Sequence, residues 1–197
     1  MADQDAAQQN SVNGPSKTRV LEGMTIAILA TDGVEQAELT QPRDAVENAG
    51  ATTVLVSLEP GYVQAMNHDV EAADRFPVDR VITDVSVADF DAVLLPGGTT
   101  NADKLRQNSH AVDFVRGAMH ADRPVGVICH APWMLVEANV VNGRTLTGYP
   151  SVRTDIANAG GTVVDGEVVV DRSLVSSRDP GDLPAFCAKV VEVFAAG

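Results

Sequence analysis

The run Pro124-Val125-Gly126-Val127-Ile128-Cys129-His130-Ala131-Pro132-Trp133 constrains this chain more than any other stretch. Its short β-branched half reads as a buried parallel strand, and proline is favoured just inside a helix start. Cys129 is therefore expected on the tight turn between strand and helix, a nucleophile elbow. A thiol in that position faces the unpaired amides and positive dipole end of the next helix, which favour thiolate and make Cys129 the candidate nucleophile. Cys187 is a contrast. It shares one helical face with Leu183, Val190, Val191 and Phe194, the pattern of core packing.

The same strand-then-helix unit recurs along the chain. The pattern predicts strands at 24–30, 52–57, 91–95, 124–128, 145–148, 162–164, 167–170 and 174–177, and helices at 36–49, 109–121, 131–138, 151–159 and 180–194. Such alternation calls for a mainly parallel sheet with helices on both faces. The polar stretch Gly61 to Asp79 reads as a small hairpin excursion. Residues 1–18 lack apolar periodicity and are expected to form a disordered tail, leaving residues 19–197 as one domain.

With 27 acidic against 14 basic residues, the formal charge of −13 argues against nucleic acid or an anionic membrane as partner. Apolar runs fall far short of the roughly 20 residues a membrane helix needs. Two cysteines without a metal or disulfide-framework spacing fit a reducing compartment, so a cytoplasmic location is expected.

Leu94-Leu95-Pro96-Gly97-Gly98-Thr99-Thr100 follows a strand, and paired glycines let backbone amides turn toward a bound oxygen. In a doubly wound sheet this loop and the Cys129 elbow share the carboxyl edge, where ligands bind. The Gly98 and His130 amides, with Gly97 beside them, then form a candidate oxyanion hole. Asp32 to Leu39 ends the first strand on the same edge. Glu35 reads as a solvated, dipole-stabilising acid, whereas Glu38 points across the edge toward Cys129. Held neutral by a partly apolar site, Glu38 can donate a hydrogen bond to a thiolate. Adjacent side chains diverge at a sharp turn, so His130 needs an orienter to reach the sulfur, and Asp103 is the best-placed acid by sequence. His68, Asp69 and Glu71 fit no zinc spacing and read as surface loop, so no metal is expected. His110 and His120 flank a helix without an evident partner.

Assembled in this order, these residues resemble the PfpI endopeptidase family, within the superfamily that includes the Parkinsonism-associated deglycase and class I glutamine amidotransferase-like proteins. The landmarks are Asp32 to Leu39, Leu95-Pro96-Gly97-Gly98, Ile128 to Pro132, Gly148-Tyr149-Pro150, Asn158-Ala159-Gly160, Asp165 to Asp171 and Val175 to Arg178. The resemblance implies a flavodoxin-like three-layer sandwich, Cys129 as nucleophile, Glu38 as its carboxyl partner, and Gly98 and His130 amides facing the substrate oxygen. It also implies at least a homodimer, in which Asp103 of a neighbouring subunit orients His130. No histidine and glutamate pair lies far downstream of the cysteine, which argues against ammonia transfer from glutamine. The expected activity is cofactor-independent: a stress enzyme acting on small reactive carbonyl compounds or glycated proteins, of glyoxalase or deglycase type. The alternatives are an intracellular cysteine peptidase and a redox sensor or chaperone working through Cys129 oxidation.

Overall fold

The computed structural model describes residues 19–197, so the expected tail lies outside the described residues. Seven strands build the central sheet: β1 (Thr25–Leu29), β3 (Thr52–Ser57), β6 (Arg80–Val81), β7 (Ala92–Leu95), β8 (Val125–Ile128), β11 (Val168–Asp171) and β12 (Leu174–Ser177). Their order is β11-β12-β8-β7-β1-β3-β6, every neighbour parallel except the antiparallel edge pair β11 and β12. Two small sheets lie outside it. Strands β9 (Thr145–Leu146) and β10 (Thr162–Val163) pair in parallel, while β2 (Val34–Glu35) joins the hairpin of β4 (Tyr62–Asn67) and β5 (Glu71–Pro77).

Side chains alternate across a strand, and here that alternation divides the core in two. Ala27, Leu29, Val93, Leu95, Val125 and Val127 face one side, where α2 (Thr99–Arg106), α3 (Ser109–His120) and α4 (Pro132–Glu137) pack. Ile26, Ile28, Leu94 and Ile128 face the other, against α1 (Gln36–Asn48) and α6 (Leu183–Phe194). The result is the three-layer sandwich expected from the sequence. On the α6 side, a Cβ at Gly126 would stand 2.9 Å from Leu94 and 3.1 Å from Val190, so only glycine lets that helix approach β8. Cys187 packs on this second core, half-buried, and burial pushes its thiol up to about 11.

Three local differences from the sequence reading matter for the site. The segment after the Gly-Gly loop, assigned no element from the sequence, is a helix in its own right, α2, which puts Asp103 in its second turn. The expected helix at 151–159 begins with a 3-10 turn, Pro150–Val152, and continues as α5 (Arg153–Asn158). The hairpin at 61–79 is present, but β2 binds it to the first loop of the sheet's carboxyl edge, so its tip is drawn over that edge rather than into solvent.

Candidate active site

Strands β1, β7 and β8 end side by side, and one buried side chain ties two of those ends together. Asn101 accepts the Thr31 amide at 2.8 Å and donates to the Pro96 and Gly97 carbonyls, each at 2.9 Å. This fixes the Gly-Gly loop against the end of β1. At the end of β8, Cys129 takes the left-handed conformation, φ +62°, a strained backbone for a residue with a side chain. Its amide donates to the Ser177 carbonyl at 3.2 Å and its carbonyl accepts from the Tyr149 amide at 2.8 Å, so both neighbouring chains hold the elbow in place.

The two glycines answer two different steric demands. A Cβ at Gly97 would stand 2.5 Å from Glu38 Oε2 and 2.7 Å from Cys129 Cβ, and one at Gly98, φ +88°, would strike the Gly33 carbonyl at 2.2 Å. Their amides also differ in use. Gly97 donates to Glu38 Oε2 at 2.8 Å, so it serves the carboxyl and is not free for an oxyanion. The Gly98 and His130 amides act on the Cys129 sulfur and favour its charged form.

Glu38 is 2% exposed on α1, and its other oxygen, Oε1, is buried without a hydrogen-bond partner. Burial pushes this carboxyl up to about 8, so it holds its proton at neutral pH. A helix start and its free amides predict a depressed thiol pKa at Cys129. Burial and the Glu38 charge push the thiol up instead, against the smaller opposing pull of the Gly98 and His130 amides. Protonating Glu38 removes the repulsive part of that penalty, which couples the two groups to a single proton.

His130 does reach the sulfur within its own chain: Nδ1 lies 3.1 Å from Cys129 Sγ. The imidazole stacks on Tyr149, centroids 4.5 Å apart and planes 28° apart, with Trp133 flanking it at 5.5 Å. Its Nε2 lies 3.1 Å from Ser151 Oγ and 3.4 Å from Thr99 Oγ1. Burial lowers the imidazole pKa, with the charge of Asp69 opposing, so the ring is neutral near pH 7. Asp103 makes no hydrogen bond to His130 in the same chain. It accepts from Arg106 Nε at 3.1 Å and from Gln107 Nε2 at 3.1 Å instead.

Two acids read as surface from the sequence belong to the site, and His68 beside one of them lines it. Glu35 is 7% exposed and accepts the Asp69 amide at 3.3 Å. Asp69, at the hairpin tip, accepts from the Thr99 amide at 2.7 Å and from its hydroxyl at 2.9 Å. Neither has a spacing that marks it, because the hairpin fold alone carries residue 69 to the carboxyl edge. Glu71 stays exposed on β5, as do His110 and His120 at the ends of α3. No cluster of three His, Cys, Asp or Glu side chains suited to a metal ion occurs among the described residues.

Glu35, Glu38, His68, Asp69, Gly98, Cys129, His130, Tyr149, Asp179 and Pro180 line a cavity of about 420 Å³ over the sulfur. Four of the lining residues are acids, and none is lysine or arginine. The strained elbow cysteine, its histidine neighbour and the Gly-Gly loop meet in a sequence that matches the DJ-1/PfpI family over residues 24–193. The chain belongs to the DJ-1/PfpI family.

Several relatives within that family cover most of the chain. General stress protein 18 of Bacillus subtilis is 42% identical over 166 residues, spanning 83% of this chain and 94% of its own. Protein/nucleic acid deglycase 2 of Escherichia coli is 38% identical over 173 residues, spanning 87% and 98%. Another Bacillus subtilis relative, 40% identical over 161 residues and spanning 82% and 92%, carries the name of a cysteine protease, YraA. Among solved structures, a protein from Anabaena variabilis with DJ-1/ThiJ/PfpI-like and ferritin-like domains superposes with a TM-score of 0.80 at 31% identity. That match covers 86% of this chain and 47% of the longer two-domain protein. Family membership thus comes with stress, deglycase and protease names, and enzymatic activity is common ground among the last two.

Proposed function

We propose that this protein is a cofactor-independent stress enzyme that converts small reactive carbonyl compounds or their early adducts on amines, with Cys129 as nucleophile. The observation that carries this reading is the pairing of Cys129 Sγ with a neutral imidazole nitrogen at 3.1 Å beside a carboxyl that keeps its proton. Such a pair suits addition to an aldehyde. The thiol proton passes to His130 Nδ1 as the C–S bond forms, the carbonyl π electrons move to oxygen, and a proton is returned to that oxygen to give a hemithioacetal. With a 2-oxoaldehyde such as methylglyoxal, moving the C1 hydrogen to C2 as a proton, by way of an enediol, yields the thioester of a 2-hydroxy acid. Water then hydrolyses the thioester and restores the thiol. The reaction is an internal redox exchange, so no outside oxidant or reductant enters.

The charge of the cavity narrows the substrate. Three acids besides the protonated Glu38, and no lysine or arginine, line it, so a carboxylate-bearing carbonyl is repelled while a neutral or amine-linked one is not. A volume near 420 Å³ sits at the small end of ligand pockets, which favours a compact carbonyl over a length of peptide. The working unit in this reading is at least a homodimer in the cytoplasm, where unpaired cysteines stay reduced.

The protease name of one relative favours peptide hydrolysis as the second reading. Purified protein incubated with methylglyoxal should form lactate, and Cys129→Ser should not. Cleavage of unfolded casein without carbonyl turnover would select the peptidase, and a peroxide-dependent mass increase at Cys129 with neither turnover would select a redox sensor.

A further inference from the structure

Asp69 reaches the site from outside every motif of the sequence. His68 and Asp69 both occupy the left-handed region at the hairpin tip, φ +53° and +64°, as a tight hairpin turn requires, and the Val70 amide closes the turn on the Asn67 carbonyl at 3.3 Å. That turn carries the Asp69 side chain into the active site. Asp69 Oδ1 accepts the Thr99 amide at 2.7 Å, Oδ2 accepts the Thr99 hydroxyl at 2.9 Å, and the Asp69 amide donates to Glu35 at 3.3 Å.

Proton counting at Thr99 then fixes the histidine. A hydroxyl has one proton, and here it is committed to a carboxylate, the stronger acceptor. Toward His130 Nε2, 3.4 Å away, Thr99 Oγ1 can offer only a lone pair. That favours the hydrogen on Nε2, which leaves the Nδ1 lone pair facing Cys129 Sγ at 3.1 Å. Ser151 Oγ, 3.1 Å from Nε2, can donate or accept and so adapts to either tautomer. Without Asp69, Ser151 and Thr99 could both donate to Nε2 and turn Nδ1 into a donor with no basic lone pair for the thiol.

We propose that Asp69, acting through Thr99, is the positioning residue that holds His130 as the Nε2–H tautomer and makes Nδ1 the base for the Cys129 thiol within a single chain. When the thiol proton moves to Nδ1, the imidazolium keeps its Nε2 hydrogen on Thr99 and Ser151, and Asp69 keeps its hold on Thr99. The orienting acid of this chain is then its own Asp69 rather than the neighbour's Asp103. This inference rests on Cys129 and His130 being the reacting pair, and it does not depend on which substrate they take.

The test therefore uses two readouts that need no carbonyl turnover: the imidazole ¹⁵N shifts of His130, assigned by their loss in His130→Gln, and the rate of Cys129 alkylation by iodoacetamide at pH 7. The wild type should show the Nε2–H tautomer. Asp69→Asn places a donor against Thr99 Oγ1, turns the threonine proton toward Nε2, and should shift His130 toward the Nδ1–H form. Since a positioned base contributes about 10²-fold or more, alkylation should slow by at least about tenfold. Thr99→Val should reproduce both effects and Thr99→Ser should reverse them, a pair that keeps the question open to refutation even if Asp69→Asn misfolds. An Nδ1–H wild type would overturn the proposal. So would a folded Asp69→Asn, or Thr99→Val, with unchanged tautomer and alkylation within about twofold of wild type. Loss of alkylation in Asp103→Asn but not in Asp69→Asn would overturn it in favour of the neighbouring subunit's acid.

Discussion

Glu38 and Cys129 face each other across a single glycine: a Cβ at Gly97 would stand 2.5 Å from the Glu38 carboxyl and 2.7 Å from Cys129 Cβ. The approach that couples thiol to carboxyl thus depends on an absent side chain. Gly97→Ala should cost about 1–3 kcal/mol of stability by overpacking. It should also remove most Cys129 reactivity by pushing the two groups apart. Chemical denaturation and iodoacetamide labelling of the same sample read both effects, and wild-type labelling in a folded Gly97→Ala protein would break the argument.

The two cysteines should separate cleanly. Cys129→Ser is expected to abolish methylglyoxal consumption with the thermal midpoint little changed, whereas Cys187→Ser, outside the cavity lining, should leave turnover within about twofold. Full turnover by Cys129→Ser would end nucleophilic catalysis at this residue.

Glu38 should leave a signature in stability against pH. Its carboxyl is raised from 4.5 in the unfolded chain to about 8 in the fold, so the folded protein binds the extra proton between those values. Stability from this group is therefore complete below about pH 4.5 and is lost progressively as pH rises through about 8. The loss amounts to a few kcal/mol, on the order of 1.4 per unit of separation. Glu38→Gln has no proton to lose. The difference in unfolding free energy between wild type and Glu38→Gln should drift in the mutant's favour as pH rises from 4.5 to 8, and a flat difference would mean an ordinary carboxyl.

Cavity charge makes a separate prediction about substrate choice. Methylglyoxal should be turned over with a higher kcat/KM than glyoxylate, which carries its own carboxylate into a cavity lined by three acids besides the protonated Glu38. Asp179→Asn should narrow that preference through KM, since one repelling charge is removed without touching the thiol. Equal handling of the two carbonyls by wild type would argue against electrostatic selection.

Subunit exchange tests the oligomer. If a neighbour's Asp103 enters the site, mixing inactive Cys129→Ala with Asp103→Ala should restore part of the activity, because one mixed site has both residues intact. Exchange demonstrated by native mass spectrometry, with Asp103→Ala already active on its own, would assign the orienting role inside the chain, the outcome expected if Asp69 is the orienting acid.

What the sequence determined by itself is local. Strand periodicity, a proline at the first position of a helix and a Gly-Gly pair after a strand are short-range signals. They were enough to place Cys129 on an elbow, the Pro96 to Gly98 loop beside it and Glu38 on the same edge. Family landmarks rest on the same short motifs. The tertiary structure decided whatever depends on sums over distant neighbours. Asp69, Thr99 and His130 are separated by 30 and 31 residues in sequence, and only the pairing of β2 with β4 and the end of β7 bring them into one hydrogen-bonded line. Glu35 changed from a solvated acid to a buried one for the same reason. The direction of the thiol pKa also reversed, because a helix start pulls it down through nearby amides while burial and the Glu38 charge, set by the whole surrounding fold, push it up by more. Spacing along a chain records which groups can share a turn, whereas desolvation and hydrogen-bond relays record what the folded chain encloses.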